Sequence, residues 1–185
     1  MGILKLKSRC LAAVACIVFG TCPALADTPL FAEDTGFRIA KYRAPIPESP
    51  PGIAAIDVSN VIENQAANVV LVDVRPVKIF EIKEDGSWIV PGPINTIPGA
   101  IWLPGIGLGE IEEWVDTYIE TSLKEVASAS ETIIVFCRID CWHSWNAVQR
   151  IAALGYETRW FDGGVEAWED AGGTLAPSTP WPVTR

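Results

Sequence analysis

Two cysteines four positions apart, Cys137 and Cys141, stand with Trp142 and the chain's one histidine, His143, directly behind them. The apolar run Ile133-Ile134-Val135-Phe136 precedes this group, and a helical pattern follows it. A cysteine between a strand end and a helix start sits where backbone N–H groups and the positive end of the helix dipole converge. That setting favours the thiolate, the nucleophilic form of the side chain. The alternative is an inert thiol buried at a strand end. With Cys141 as neighbour, Cys137 has nucleophilic attack, a persulfide resolved by the second thiol, or a reversible disulfide open to it. Closing so small a ring contributes only about 2 kcal/mol by loop entropy, so the pair reads as redox or protective rather than as a staple for the fold.

Arg138, Asp140, Trp142 and His143 are the side chains this loop offers to a substrate or partner. Trp142 with Trp145 suggests a flat apolar platform for a quinone, a peptide or a protein, although Trp145 taken alone suits the core beneath the helix. His143 reads as a solvated residue of the helix's first turn. It lacks, with the two cysteines, a fourth partner for a tetrahedral metal site, so neither metal nor resident cofactor is expected. Gly105, Gly107 and Gly109 have the wrong spacing for a dinucleotide fingerprint and read as a loop.

The elements that position the loop follow from periodicity. Ser59 suits the cap of a short helix running to about Asn68. The β-branched run 69–74 predicts a strand buried on both faces, with Asp73 and Arg75 at its end bracing the loops of the sheet's carboxyl edge. Residues 76–99 read as a long connection containing a hairpin, and 100–103 as a second strand. Ile111, Trp114, Val115, Tyr118 and Ile119 recur at helical spacing and predict a helix over 110–124. Strands at 133–136 and 159–161 flank a helix over 143–154, which Gly155 ends. Gly163-Gly164 then turn the chain into a short helix carrying Val165, Ala167 and Trp168. Strands alternating with helices imply an α/β sandwich with a central parallel sheet, whose ligand site lies at the carboxyl ends of the strands. Cys137 stands at that edge.

The two ends and the charge bound the setting. Lys5, Lys7 and Arg9, the apolar run 11–19 and Ala24-Leu25-Ala26 have the order of a secretory signal, with a mature start at Asp27. The apolar run is too short to span a membrane, and no later stretch is long and apolar enough. Without residues 1–26 the chain loses three of its 14 basic residues and none of its 23 acidic ones, leaving 11 against 23, a formal charge of −12. Such a surface disfavours nucleic acid and anionic membranes. The same cut leaves Cys137 and Cys141 as the only cysteines, in a compartment that favours their oxidation. Residues 27–52, with five prolines, read as an extended N-terminal arm anchored through Phe37 and Tyr42. The domain then runs over 53–176, and 177–185 reads as an irregular tail.

Several separated motifs together resemble the rhodanese-like family. They are Val72-Asp73-Val74-Arg75, Ile97-Pro98-Gly99-Ala100-Ile101, Val135-Phe136-Cys137-Arg138, and Gly163-Gly164-Val165-Glu166-Ala167-Trp168 followed by Ala171-Gly172-Gly173. The resemblance implies a rhodanese-like three-layer sandwich with the active loop at Cys137. The loop departs from the family's sulfurtransferase pattern at two positions. Asp140 replaces the fourth-position glycine, and Trp142 replaces the sixth-position arginine that would hold an anionic sulfur donor. A narrower resemblance covers nearly the whole chain after residue 26. Cys137-Arg138-Ile139-Asp140-Cys141-Trp142 with Ser144-Trp145-Asn146-Ala147, the arm Tyr42-Arg43-Ala44-Pro45-Ile46-Pro47 and the stretch 97–105 are similar to the CXXCW-motif proteins associated with PQQ-dependent catabolism. That resemblance implies a periplasmic accessory role beside quinoprotein alcohol oxidation, without PQQ bound to this chain. The implied partner is a quinoprotein dehydrogenase or cytochrome system, or a small sulfur compound. A sulfane-sulfur enzyme or carrier (a thiosulfate-type sulfurtransferase among them), a thiol–disulfide partner and a non-catalytic docking module all remain open at this level.

Overall fold

Apolar runs without alternation leave a strand no face for water, and in this chain the two longest become the middle of a parallel sheet. The computed structural model describes residues 28–64 and 68–184. The expected signal segment and the start at Asp27 lie outside them. In chain order the elements are β1 (Ala55–Ile56), α1 (Val58–Asn64), β2 (Val69–Asp73), β3 (Glu81–Ile82), β4 (Trp88–Ile89), β5 (Ile94–Thr96), β6 (Ile101–Trp102), α2 (Glu113–Val126), β7 (Thr132–Phe136), α3 (Trp142–Ala153), β8 (Glu157–Phe161), α4 (Gly164–Asp170) and β9 (Ala176–Ser178). The main sheet has the order β1-β8-β7-β2-β6 and is parallel throughout. Two small antiparallel pairs, β3 with β4 and β5 with β9, stand apart from it.

Successive side chains of β7 enter two different cores. Ile133 and Val135 join Val72 and Trp160 under Tyr118 and Leu123 of α2 and Val148 and Ile151 of α3. Ile134 and Phe136 join Leu71 and Phe161 on the opposite face, under Val61 of α1 and Val165 and Trp168 of α4. The chain therefore forms the expected α/β three-layer sandwich around a central parallel sheet. Period-2 burial on both faces is why the strand sequences show no polar alternation.

Several local expectations change. The first helix starts at Val58 and its N-terminus is held by Asp57, whose Oδ1 accepts from the Asn60 N–H at 3.0 Å and from the Ser59 hydroxyl at 2.6 Å. Ser59 thus lies inside the helix, which is described to Asn64; the three positions before the expected end at about Asn68 lie outside the described residues. β1 is a strand that its two-residue length hid from periodicity. The tail is more ordered than expected: β9 pairs with β5, the Trp181 N–H bonds the Trp102 carbonyl, and the Val183 N–H bonds the Gly86 carbonyl with Val183 buried. These are backbone pairings to residues about 80 to 100 positions away, which no local pattern announces.

At the carboxyl end of β2, Asp73 is fully buried and yet charged-partnered. Arg75 donates to it through Nε at 2.9 Å and Nη2 at 2.6 Å, and the Thr96 hydroxyl donates at 2.6 Å. Burial pushes its pKa up, against the hydrogen bonds and charge of Arg75, and burial wins. The Arg75 Nη2 also reaches the Asn95 carbonyl at 2.7 Å, so the pair ties β2 to the strand before β6. Removing one partner of a buried pair strands the other. Arg75→Met is therefore expected to cost on the order of 3 kcal/mol in urea unfolding, and Thr96→Val about 1 kcal/mol. Equal effects of the two substitutions would refute the pairing as the source.

Candidate functional site

The end of β7 delivers Cys137 to the carboxyl edge of the sheet, and α3 starts five residues later at Trp142. Between them the chain makes a tight loop closed by a disulfide from Cys137 to Cys141, with Cα atoms 6.2 Å apart. Both cysteines are out of contact with water, at 0% and 2% exposure. Asp140, in the position where the resembled pattern has glycine, has a φ of 54°. Aspartate is among the few L-residues that tolerate this left-handed region, so the substitution preserves the turn.

The turn before α4 holds the loop from one side. Gly164 has a φ of 57°, the Val165 N–H bonds the Cys137 carbonyl at 3.2 Å, and a Cβ on Gly164 would lie 2.6 Å from that oxygen. No other residue fits this approach. Glu166, in the first turn of α4, accepts from Arg138 Nε at 2.7 Å and from the Ile139 N–H at 3.1 Å. Burial raises the Glu166 pKa, but these hydrogen bonds outweigh it and the group ends below its ordinary value. Arg138 is thus an exposed side chain pinned by Glu166, and Asp140 is exposed beside it. A cavity of about 270 Å3 opens here between Ile46, Ile139, Asp140, Trp160, Asp162 and Gly163.

The N-terminal arm holds the loop from the other side. Arg43 bridges Cys141 in antiparallel fashion, the Trp142 N–H bonds the Tyr42 carbonyl at 2.9 Å, and the Ala44 N–H bonds the Asp140 carbonyl at 3.1 Å. The arm is secured by Arg38, whose backbone N–H and carbonyl both bond the side-chain amide of Asn146 in α3. The Arg38 guanidinium lies 4.9 Å from the centre of the Phe31 ring and 4.8 Å from that of Trp142. Phe37 packs under Arg150, and the Tyr42 hydroxyl accepts from the Gly109 N–H at 2.9 Å.

Two sequence readings are corrected. Trp142 is buried beneath Phe31 and Arg38 instead of forming an exposed platform, and its indole N–H has no partner among the described residues. His143 is buried instead of solvated. Its ring stacks on Tyr42 with centroids 4.1 Å apart, and its Nδ1–H donates to the Gly107 carbonyl at 3.1 Å. Gly107 permits this contact, since a Cβ there would collide with the His143 backbone. Both errors have one cause: the arm lies some hundred residues upstream, and nothing near the loop shows that it returns to cover it. Trp145 is half-buried against the core, with its indole N–H on the Glu48 carbonyl. Glu166 and Arg38 are the residues that sequence reasoning missed. The acidic residue in the first turn after Gly163-Gly164 was a visible signal for the former; Arg38 had none.

The family model of the rhodanese-like domain matches residues 57–171. No curated protein matches the chain. Among solved structures, a protein from Bacillus halodurans is 23% identical, with 66% of this chain and 76% of that one covered and a TM-score of 0.46. A thiosulfate sulfurtransferase from Pseudomonas aeruginosa is 18% identical, with 80% of this chain but 24% of that one covered and a TM-score of 0.47. The reduced CoADR-RHD of Bacillus anthracis is 17% identical, covering 67% of this chain and 18% of that one, with a TM-score of 0.44.

Burial lowers the His143 pKa to about 4, against the hydrogen bond to Gly107. A base whose folded pKa lies below its unfolded one loses stability as pH falls, because the unfolded chain takes up the proton first. The loss begins near the ordinary histidine value of about 6.5 and is complete near 4, amounting to up to about 3 kcal/mol. His143→Gln is expected to remove this component, so that the difference in unfolding free energy between the two proteins changes between pH 7 and pH 4. Parallel pH profiles would show that His143 is not held neutral.

Proposed function

The chain belongs to the rhodanese-like domain family, and on that footing we propose that it is a periplasmic accessory protein of PQQ-dependent alcohol catabolism that works through the Cys137–Cys141 pair. The observation that carries this reading is the disulfide itself. The two sulfurs of one loop meet at the carboxyl edge of the sheet, beneath an arm held to the loop by backbone hydrogen bonds. Reduction breaks that S–S bond with two electrons and two protons from a partner dithiol, which leaves as a disulfide. The partner class is a periplasmic quinoprotein dehydrogenase or cytochrome system. The signal-like residues 1–26 and the disulfide support the compartment. Three residues separate the cysteines, one more than the CXXCW name of the resembled group implies.

The same geometry argues against a long-lived sulfur carrier. A persulfide on Cys137 has the Cys141 thiol within bonding reach. Attack by that thiol restores the disulfide and releases hydrosulfide, so the pair discharges sulfur instead of storing it. Thiosulfate is a poor donor for this loop. Trp142 stands where an anion-holding arginine is expected, and Asp140 and Asp162 line the adjacent cavity. Of the two nearby guanidiniums, Arg38 is turned into the arm, with Nε on the Ala40 carbonyl at 2.6 Å, and Arg138 is paired with Glu166.

The test is the mass of the purified protein alkylated before and after reduction. In the chain that starts at Asp27 no adduct is expected before and two after, with Cys137 the faster thiol because it stands between the end of β7 and the start of α3. Arg38→Ala is expected to speed reduction by dithiothreitol, because it loosens the arm over the sulfurs. Two free thiols in the isolated protein, together with a Cys141→Ala variant that leaves alcohol oxidation intact in cells, would return the reading to a docking module. In a separate assay, thiosulfate:cyanide turnover is expected to be negligible. A robust rate lost in Cys137→Ser would make the protein an ordinary sulfurtransferase.

A further inference from the structure

The carboxyl edge of the sheet carries a second concavity beyond the cysteine loop, on the side of β2 and β6. Its volume is about 450 Å3, within the roughly 300–1,000 Å3 usual for small-molecule sites. Aromatic side chains from three separate segments line it: Phe80 from the connection after β2, Trp88 from β4 and Trp114 from α2, with Tyr42 of the arm beside them. The rings are mutually tilted, Phe80 to Trp88 by 45° at 5.0 Å and Trp88 to Trp114 by 57° at 6.1 Å, so they form walls and not a single stack. Trp88 is fixed from behind, its indole N–H on the Trp181 carbonyl at 2.8 Å and its ring against Tyr118. Phe80 remains 45% exposed and Leu108 37% exposed at the mouth. Apolar side chains left at the rim of a concave, rigid aromatic surface mark a place where something binds.

The charges at this cavity choose the occupant. Glu110 and Glu112 line it, and the Glu112 carboxylate is held at the edge of the Trp114 indole by a 3.1 Å hydrogen bond. Lys78 is the one opposing cation in the lining, because burial keeps His143 neutral at pH 7. Aromatic faces carry the negative side of the ring quadrupole and attract a cation placed over them. A carboxylate on the ligand would meet those faces and two carboxylates against a single ammonium.

We propose that this cavity binds a small organic ammonium, a quaternary or protonated amine bearing an apolar group. The ammonium lies over the rings beside Glu112 and the apolar group fills the space between Phe80 and Leu108. The proposal does not rest on the function proposed for the cysteines.

The test titrates the purified full-length chain, followed by tryptophan fluorescence, with benzyltrimethylammonium, benzyl alcohol and phenylacetate at constant ionic strength. Saturable quenching is expected with the ammonium, and affinity at least about tenfold weaker with the neutral and anionic compounds. Phe80→Ala and Glu112→Gln, both at exposed positions, are each expected to weaken ammonium binding about three- to tenfold, with the thermal midpoint and the rate of disulfide reduction unchanged. Trp88→Ala would remove binding but also a core contact, so the two milder variants decide. Absence of saturable ammonium binding, phenylacetate binding as tight as the ammonium, or indifference to both milder variants would overturn the proposal.

Discussion

Strand β7 is hydrogen-bonded to a parallel neighbour on each edge and buried against a separate apolar core on each face. Sliding or tilting it would break two ladders and open two cores at once, so its end is among the least movable points in the molecule. That end is Phe136, and Cys137 follows it. The register that places Phe136 opposite Asp73 on one side and Phe161 on the other brings three strand ends to one level. The loops after β2, β7 and β8 therefore meet there. The buried Asp73–Arg75 pair closes the first of them, and the Gly163-Gly164 turn closes the third against the Cys137 carbonyl.

On this fixed base the cysteine loop is assembled from two distant pieces of chain. Its inner half leans on α4 through Glu166, and its outer half leans on the arm through Tyr42 and Ala44. The arm changes what the loop is. An active loop in an open sheet faces water, whereas here both sulfurs are shielded, and Trp142 is roofed by Phe31 and Arg38. The sixth loop position, an arginine in the resembled pattern, has become an indole, and a guanidinium now stacks on it from the arm. Its positive charge is spent on the rings and on the Ala40 and Lys41 carbonyls, not on an incoming anion. The arm meets the loop and the start of α3 through backbone hydrogen bonds, the Arg38 and Phe31 contacts with Trp142, and the stack of Tyr42 on His143.

Tyr42 and His143 join this loop to the aromatic cavity. Tyr42 gives its carbonyl to the loop, its ring to His143 and its hydroxyl to the 104–109 connection, and both residues also line the cavity. The linings of the two concavities have no residue in common and differ in kind. Asp140 and Asp162 mark the one beside the cysteine loop; aromatic faces with a held carboxylate mark the other.

The α/β architecture was legible in the chain because buried parallel strands and amphipathic helices write their burial into local periodicity, as 69–74, 133–136 and 110–124 do. The position of Cys137 followed from the same patterns, since a cysteine after a buried strand of a parallel sheet has one place to be. The turn at Gly163-Gly164 was also legible from residue type, whereas the left-handed backbone of Asp140 and the close approach of Gly164 to the Cys137 carbonyl emerged only in the folded chain. What tertiary structure alone decided was burial and partnership. Trp142 and His143 looked solvent-facing from their neighbours in sequence, and the arm that covers them starts a hundred positions earlier with no periodicity of its own. Phe80, Trp88 and Trp114 are scattered over two connections and a helix, and only the packing of β3 and β4 against α2 turns them into walls of one cavity. Local sequence determines what a segment prefers to become. Which distant segment removes its water is settled by the closure of the whole chain, where loop entropy and buried area are balanced together.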